Sequence, residues 1–172
     1  MSEKRRIVVI SFLGTVLDSG QGEGRWQKWR PNVALNQRQD LSVDRIELFC
    51  AEKFHDLAEH VRADIRHVAP HTAVNLVPME LENPWDFSEV YTRLHDWAAD
   101  YPFDSEQEEY WVHITTGTHV AQICLFLLVE SRQIPGILLQ TAPPKNQKRQ
   151  MMRGEVGSVE LIDLDLARYD AL

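Results

Sequence analysis

The sequence predicts an α/β domain built on a largely parallel sheet. Six short strand-like runs recur along the 172 residues, helical patterns separate most of them, and two of the loops that leave strands are rich in Gly and Thr. The chain is long enough for one well-buried domain and short for two, and its 44% apolar content is that of a globular protein.

The strand-like runs fall at residues 6–12, 45–50, 73–79, 109–115, 136–141 and 156–163. The first follows a basic start, "MSEKRR", and so has the outline of a signal peptide. Ser11, Gly14 and Thr15 interrupt it, and no small-residue cleavage site follows, so it reads as a first strand. In "FHDLAEHVRADIRHV" the apolar residues Phe54, Leu57, Ala58, Val61, Ile65 and Val68 share one helical face. "DFSEVYTRLHDWAADY" opens with Asp86 and places Glu89 three residues on, a capping-box spacing. The third helix, residues 118–132, is apolar nearly all round and has to be covered on several sides, by its own sheet or by another subunit. Residues 18–43 are the least readable stretch and hold either a short helix or an extra strand near Val33 and Leu35. The end of the chain, from "LQTAPPKNQKRQMM" to "VELIDLDL", reads as a two-strand excursion across a basic, mobile loop.

Charge narrows the function. A net charge of −8 argues against binding of duplex DNA by the whole surface. The bases are nevertheless concentrated. Residues 20–38 carry Arg25, Lys28, Arg30 and Arg38 against Glu23 alone, and residues 143–153 carry Lys145, Lys148, Arg149 and Arg153 with no acid. Any anion-binding surface belongs in these two stretches. Cys50 and Cys124 lie in apolar runs, which suits reduced thiols in the cytoplasm, and no stretch is long enough to span a membrane. His67 and His71 have ligand spacing, but Pro70 lies between them and no HExxH or paired CxxC occurs; no metal and no cofactor are expected.

In parallel sheets ligands gather at the carboxyl ends of strands, where helix N-termini present free N–H groups. Two loops qualify. One leaves the first strand through Gly14 and Thr15; the other leaves the fourth through Thr115, Thr116, Gly117 and Thr118 into a helix that opens with His119. Gly117 permits a tight turn, and Thr116 or Thr118 either caps the helix or donates to an anion. A phosphate or its ester is the natural guest. Gln122, one turn into the helix, is either within reach of that guest or a surface residue. "RWQKWR" interleaves Arg25 and Lys28 with Trp26 and Trp29, a pattern suited to single-stranded RNA, although each tryptophan taken alone fits core packing better. Trp85 reads as a structural plug, with a place in the ligand wall as the lesser option. His113 and His119 flank the second loop and offer an acid and a base, which keeps a phosphodiesterase open as the alternative.

A strand ending in Ser-x-x-Gly-Thr, a later one ending in Thr-x-Gly-Thr and the α/β order between them resemble a CARF domain, the Rossmann-like nucleotide sensor of CRISPR-associated proteins. "FLGTVLD", "RWQKWRP", "VDRIELF", "NPWDFSEVYTRLHDWA", "HITTGTHVAQICLFLL" and "IDLDLARYDA" together resemble the amino-terminal domain of the RtcR family of sigma-54-dependent transcriptional activators over essentially the whole chain. The resemblance implies a single sensor domain over residues 1–172, cut before an AAA+ ATPase and a DNA-binding domain; no G-x-x-x-x-G-K-[S/T] loop occurs in the chain. It implies repression of that ATPase until an RNA end, such as a 2′,3′-cyclic phosphate, is bound, and it implies pairing into a homodimer or higher oligomer. The family implies no direct DNA contact by this domain. Gly14, Thr15, and Thr115 through His119 map onto the two CARF ligand motifs. Some CARF domains bind or cleave cyclic oligoadenylate, and ring-nuclease chemistry is the enzymatic alternative.

Overall fold

The computed structural model describes residues 3–163. Six strands form one sheet: β1 (Arg6–Phe12), β2 (Arg45–Cys50), β3 (Ala73–Pro78), β4 (Glu108–His113), β5 (Gly136–Ala142) and β6 (Ser158–Ile162). Their order is β3-β2-β1-β4-β5-β6. Every neighbouring pair is parallel except β5 and β6, which run antiparallel. The predicted largely parallel α/β fold with a C-terminal strand excursion is the one observed. The motif "IDLDLARYDA" lies almost wholly outside the described residues.

The alternation of β1 distributes its side chains between two cores. Val8, Ile10 and Phe12 face α3 (Phe87–Asp100) and α4 (His119–Glu130), where they meet Val90, Leu94, Cys124, Leu125 and Leu128. Ile7 and Val9 face α1 (Pro31–Gln37) and α2 (His55–Val68), where they meet Val33, Leu35, Ala58, Val61 and Ile65. The helix option for the middle of residues 18–43 is therefore the realised one, with Pro31 at its first turn and a 3-10 turn (Glu23–Gln27) before it. The basic loop after β5 also holds a helix, α5 (Gln147–Met152), started by the Asn146 side chain accepting from Arg149 N–H. The sequence reading missed it because only Met151 is buried along its six residues.

At the amino ends of the strands, Arg45 bonds Glu47 on its own strand and Glu108 on β4, reaching across β1, and the Tyr101 hydroxyl accepts from Arg45 and donates to Glu47. The Arg45 guanidinium holds Glu108 below the usual carboxylate range, and burial pushes Tyr110, which donates to Glu108, up to about 12. This end of the sheet is a closed ion network. The carboxyl end is open.

Candidate ligand-binding site

The sheet order reverses between β1 and β4: β1 continues to β2 on one side, and β4 continues to β5 on the other. The loops after these two strands part toward opposite faces, and the crevice between them is where open α/β sheets bind ligands. A cavity of about 470 Å³ lies there. Gly14, Thr15, Val16 and Leu17 form one wall, Gly117 and Thr118 another, and Lys53, Phe54, Glu82 and Trp85 close the sides over a floor of Phe12, Phe49 and Met79.

The first wall is held by a buried carboxylate. Asp18 accepts the Gly14 N–H at 2.7 Å, the Asn32 N–H at 3.0 Å and the Asn32 amide, and it donates its own N–H to the Gly14 carbonyl at 2.8 Å. Burial raises the Asp18 carboxyl above its ordinary range, against the pull of these donors. A Cβ at position 14 would stand 2.9 Å from Asp18 Oδ2 and 3.2 Å from Thr116 Cγ2, so the loop closes only around glycine. Lys28 fastens the same loop from below, donating from Nζ to the carbonyls of Val16 and Ser19, both at 2.8 Å.

The second wall begins where β4 stops pairing. Ile114 N–H still reaches Leu139 O, but at the next residue the Thr115 hydroxyl takes over, accepting from Thr141 N–H and donating to Thr141 O. The strand therefore ends at His113 rather than Thr115. Thr116 turns inward and donates to Phe12 O at 2.6 Å. Gly117 adopts φ 90, a conformation that favours glycine, packed against the Phe12 side chain. Thr118 caps α4 by accepting from Ala121 N–H at 3.1 Å and donates to Pro84 O at 3.0 Å, which ties the loop to the segment carrying Trp85. This cap leaves the N–H groups of His119 and Val120 at the positive end of the helix.

Ser11, Asn32, His113, Thr116 and Thr141 form a polar layer beneath the walls. Ser11 Oγ bonds Asn32 Oδ1 at 2.7 Å and lies 3.0 Å from His113 Nδ1, and His113 Nε2 lies 2.8 Å from Thr141 Oγ1. His113 is fully buried, and desolvation lowers it to about 4. A neutral imidazole with both nitrogens engaged ties β1, β4 and β5 together beneath the walls. Cys50 lines the cavity, but burial, then Glu52, Glu80 and Glu59, raise its thiol, so it does not offer a ready thiolate.

The structure brings Gly14, Thr15, Gly117 and Thr118 together around the cavity. His119 stands at its rim, its ring 5.2 Å from that of Trp85. Thr115, Thr116, Lys28 and Gln122 are instead the ties that shape the two walls; Gln122 Nε2 donates to Gly117 O at 3.1 Å. Arg25 lies elsewhere: its guanidinium pairs with Asp64 of α2 and sits over Trp26. Trp29 is buried and Trp26 half-buried, in keeping with core packing. Trp85 is no plug, since 59% of it is exposed.

One wall residue, Lys53, was missed from sequence, and another, Trp85, was given the lesser of its two readings. Lys53 follows the second strand, and only the strand order, with β2 beside β1, shows that the second strand ends next to the first loop. For Trp85 the wall reading ranked second because the capping role of its neighbour Asp86 already explained the segment.

The comparisons bear on the fold and the family. A solved structure of Enterococcus italicus Csm6 bound to cyclic hexa-2′-fluoro-hexa-dAMP superposes with a TM-score of 0.66 at 16% identity, covering 98% of this chain and 44% of that one, so the two share a fold. The transcriptional regulatory protein RtcR of Escherichia coli (strain K12) is 51% identical over 169 residues, 98% of this chain and 31% of the regulator. The chain thus spans about a third of the curated relative's length. A family profile described as regulator of RNA terminal phosphate cyclase matches residues 5–172, and with that match and the 51% identity the chain belongs to the RtcR family.

Proposed function

We propose that this chain is the ligand-sensing domain of an RtcR-type transcriptional activator, that it binds an RNA end carrying a 2′,3′-cyclic phosphate, and that occupancy of the cavity controls an AAA+ ATPase further along the full-length protein. The cavity at the switch point carries the reading. One side offers groups for an anion: the Thr15 hydroxyl, the Lys53 ammonium and the N–H groups at the start of α4. The other side is apolar and aromatic, with Phe49, Phe54, Met79 and Trp85. A bare phosphate has no use for the second half; a terminal nucleotide uses both, its base against Trp85 and His119 and its phosphate against the loops.

The domain acts as a sensor without chemistry of its own. The acid–base pair of the enzymatic alternative needs His113, which is buried in the polar layer rather than in the cavity. Pairing of two domains suits the outer face of α3 and α4, where Phe87, Ile123 and Leu127 are exposed. Among the described residues no helix is long and apolar enough to cross a membrane, and the domain works in the cytoplasm beside the transcription apparatus it regulates. It does not itself contact DNA.

A second reading, a sensor of cyclic oligoadenylate, is favoured by the fold shared with the Csm6 chain, whose bound molecule is a cyclic hexanucleotide analogue. Calorimetric titration with a short RNA ending in 2′,3′-cyclic phosphate, its 3′-hydroxyl twin and cyclic tetra-adenylate separates the two. Preference for the cyclic-phosphate end is the expected result. Preference for cyclic tetra-adenylate replaces this reading with the second, and binding of none of the three removes both.

A further inference from the structure

The two basic stretches of the sequence, more than a hundred residues apart, are joined in the fold. Met151 of α5 is buried with Trp29 and Ala34, and Trp29 N–H donates to Gln147 Oε1 at 3.3 Å. This packs α5 against the segment that carries the Gly14–Asp18 wall toward α1. At its other end the same basic segment leaves β5 directly after Thr141, whose backbone is bonded in both directions to the Thr115 hydroxyl. The basic segment is therefore anchored at one end to the loop after β4 and at the other to the segment after β1, and it lies at the carboxyl end of the sheet, as the cavity does. β5 is two strand spacings, about 10 Å, from β1.

The charges on the two stretches have different fates. Arg25 and Arg30 bond Asp64, Lys28 is spent on carbonyls, and Arg38 pairs with Asp40. Lys145, Lys148, Arg149 and Arg153 are all exposed, and none has an acidic partner among the described residues. Four exposed cations within nine residues, on a protein of net charge −8, form a locally basic surface. Such a ridge, at the same carboxyl end of the sheet as the cavity, matches a chain of phosphates leading away from a nucleotide bound there.

We infer that α5 and its flanks form a second subsite, which holds the phosphodiester backbone of a single RNA strand whose terminal nucleotide occupies the cavity. This rests on the ligand reading above and extends it: the cavity reads the end, and the ridge requires that the end belong to a strand. A closed ring or a lone terminal nucleotide satisfies only the first. Because the contacts are to phosphates, the ridge adds affinity without base preference.

The test compares two RNAs with the same 2′,3′-cyclic phosphate end, two and eight nucleotides long, on the 172-residue chain across a salt series. The eight-nucleotide RNA is expected to bind at least tenfold more tightly at low salt. Its log K should fall more steeply with log salt, by about 0.7 for each cation engaged, hence by about 2 to 3 for the ridge. Joint change of Lys145, Lys148, Arg149 and Arg153 to Gln, all exposed positions, should erase both differences and leave binding of the two-nucleotide RNA as it was. Equal affinity of the two lengths for the wild-type chain overturns the inference while leaving the cavity reading intact, as does a length preference that survives the fourfold variant. Failure of both RNAs to bind overturns the cavity reading, and this one with it.

Discussion

Asp18 and Gly14 hold each other twice, the carboxylate accepting the glycine N–H at 2.7 Å while the Asp18 N–H donates to the glycine carbonyl at 2.8 Å. The turn so closed presents Thr15, Val16 and Leu17 to the cavity. A Gly14→Ala change puts a methyl 2.9 Å from Asp18 Oδ2, an atom that also accepts from Asn32 and has little freedom to withdraw. The expected result is a loss of about 1–3 kcal/mol in urea unfolding, together with weakened ligand binding, because the displaced wall is the one proposed to hold the anion.

The buried imidazole of His113 gives the fold a pH dependence. It is neutral in the native state, with a folded value of about 4 against 6.5 for the free side chain. The unfolded chain takes up a proton below about pH 6.5 that the native chain refuses until about pH 4, so stability is complete above the upper value and falls as the pH drops through this window. The full effect is about 3 kcal/mol. Asp18, raised by burial, acts in the opposite sense, so the comparison to make is between wild type and His113→Asn. Urea midpoints measured at pH 7 and pH 5 should converge with falling pH, as wild type loses the advantage of its neutral histidine.

Asp64 neutralises two guanidiniums, those of Arg25 and of Arg30, the latter only 1% exposed. Burial alone would raise the Asp64 carboxyl, but the bonds from Arg25 and Arg30 outweigh it and hold the group below its ordinary value. Asp64→Ala strands the buried Arg30 and is expected to cost about 3–5 kcal/mol in chemical denaturation. Arg25→Ala leaves the Arg30 pair in place and should cost about 1 kcal/mol, with ligand affinity unchanged in titration. A selective loss of affinity would return Arg25 to the ligand set.

Trp85 is exposed, and its backbone N–H is held by Asn83 Oδ1 at 3.0 Å within a segment that Glu89 and Thr118 also tie down. Its ring therefore waits in position at no cost to the core. Trp85→Ala should leave stability within about 0.5 kcal/mol of wild type. Affinity for the RNA end should fall roughly tenfold or more, as expected for loss of one base stack. Titration calorimetry checks the second statement and thermal unfolding the first.

Much of this was legible in the sequence, for identifiable reasons. The strands announced themselves because β-branched runs such as "RIVVISF" have few other uses, and α3 because Asp86 and Glu89 sit at cap spacing. The two Gly-Thr loops were visible because they interrupt apolar runs. The orientation of individual side chains was not. Thr115, Thr116 and Thr118 look alike in sequence, yet one bridges to β5, one turns down onto Phe12 and one faces the cavity while capping α4. Arg25 and Lys28 carried a nucleic-acid pattern, and only the position of α2 shows that Asp64 claims the arginine. Lys53 became part of the site through strand order, a long-range property that no local pattern encodes.

The most direct test of the central claim is amide NMR mapping of the isotopically labelled chain titrated with a short RNA ending in 2′,3′-cyclic phosphate. The account predicts that the largest shifts fall on Gly14 through Leu17, on Lys53, and on Gly117 through Val120, with the indole N–H of Trp85 moving alongside them. Shifts confined to other parts of the surface, with these residues undisturbed, would contradict it and remove the crevice between β1 and β4 as the place where the RNA end is read.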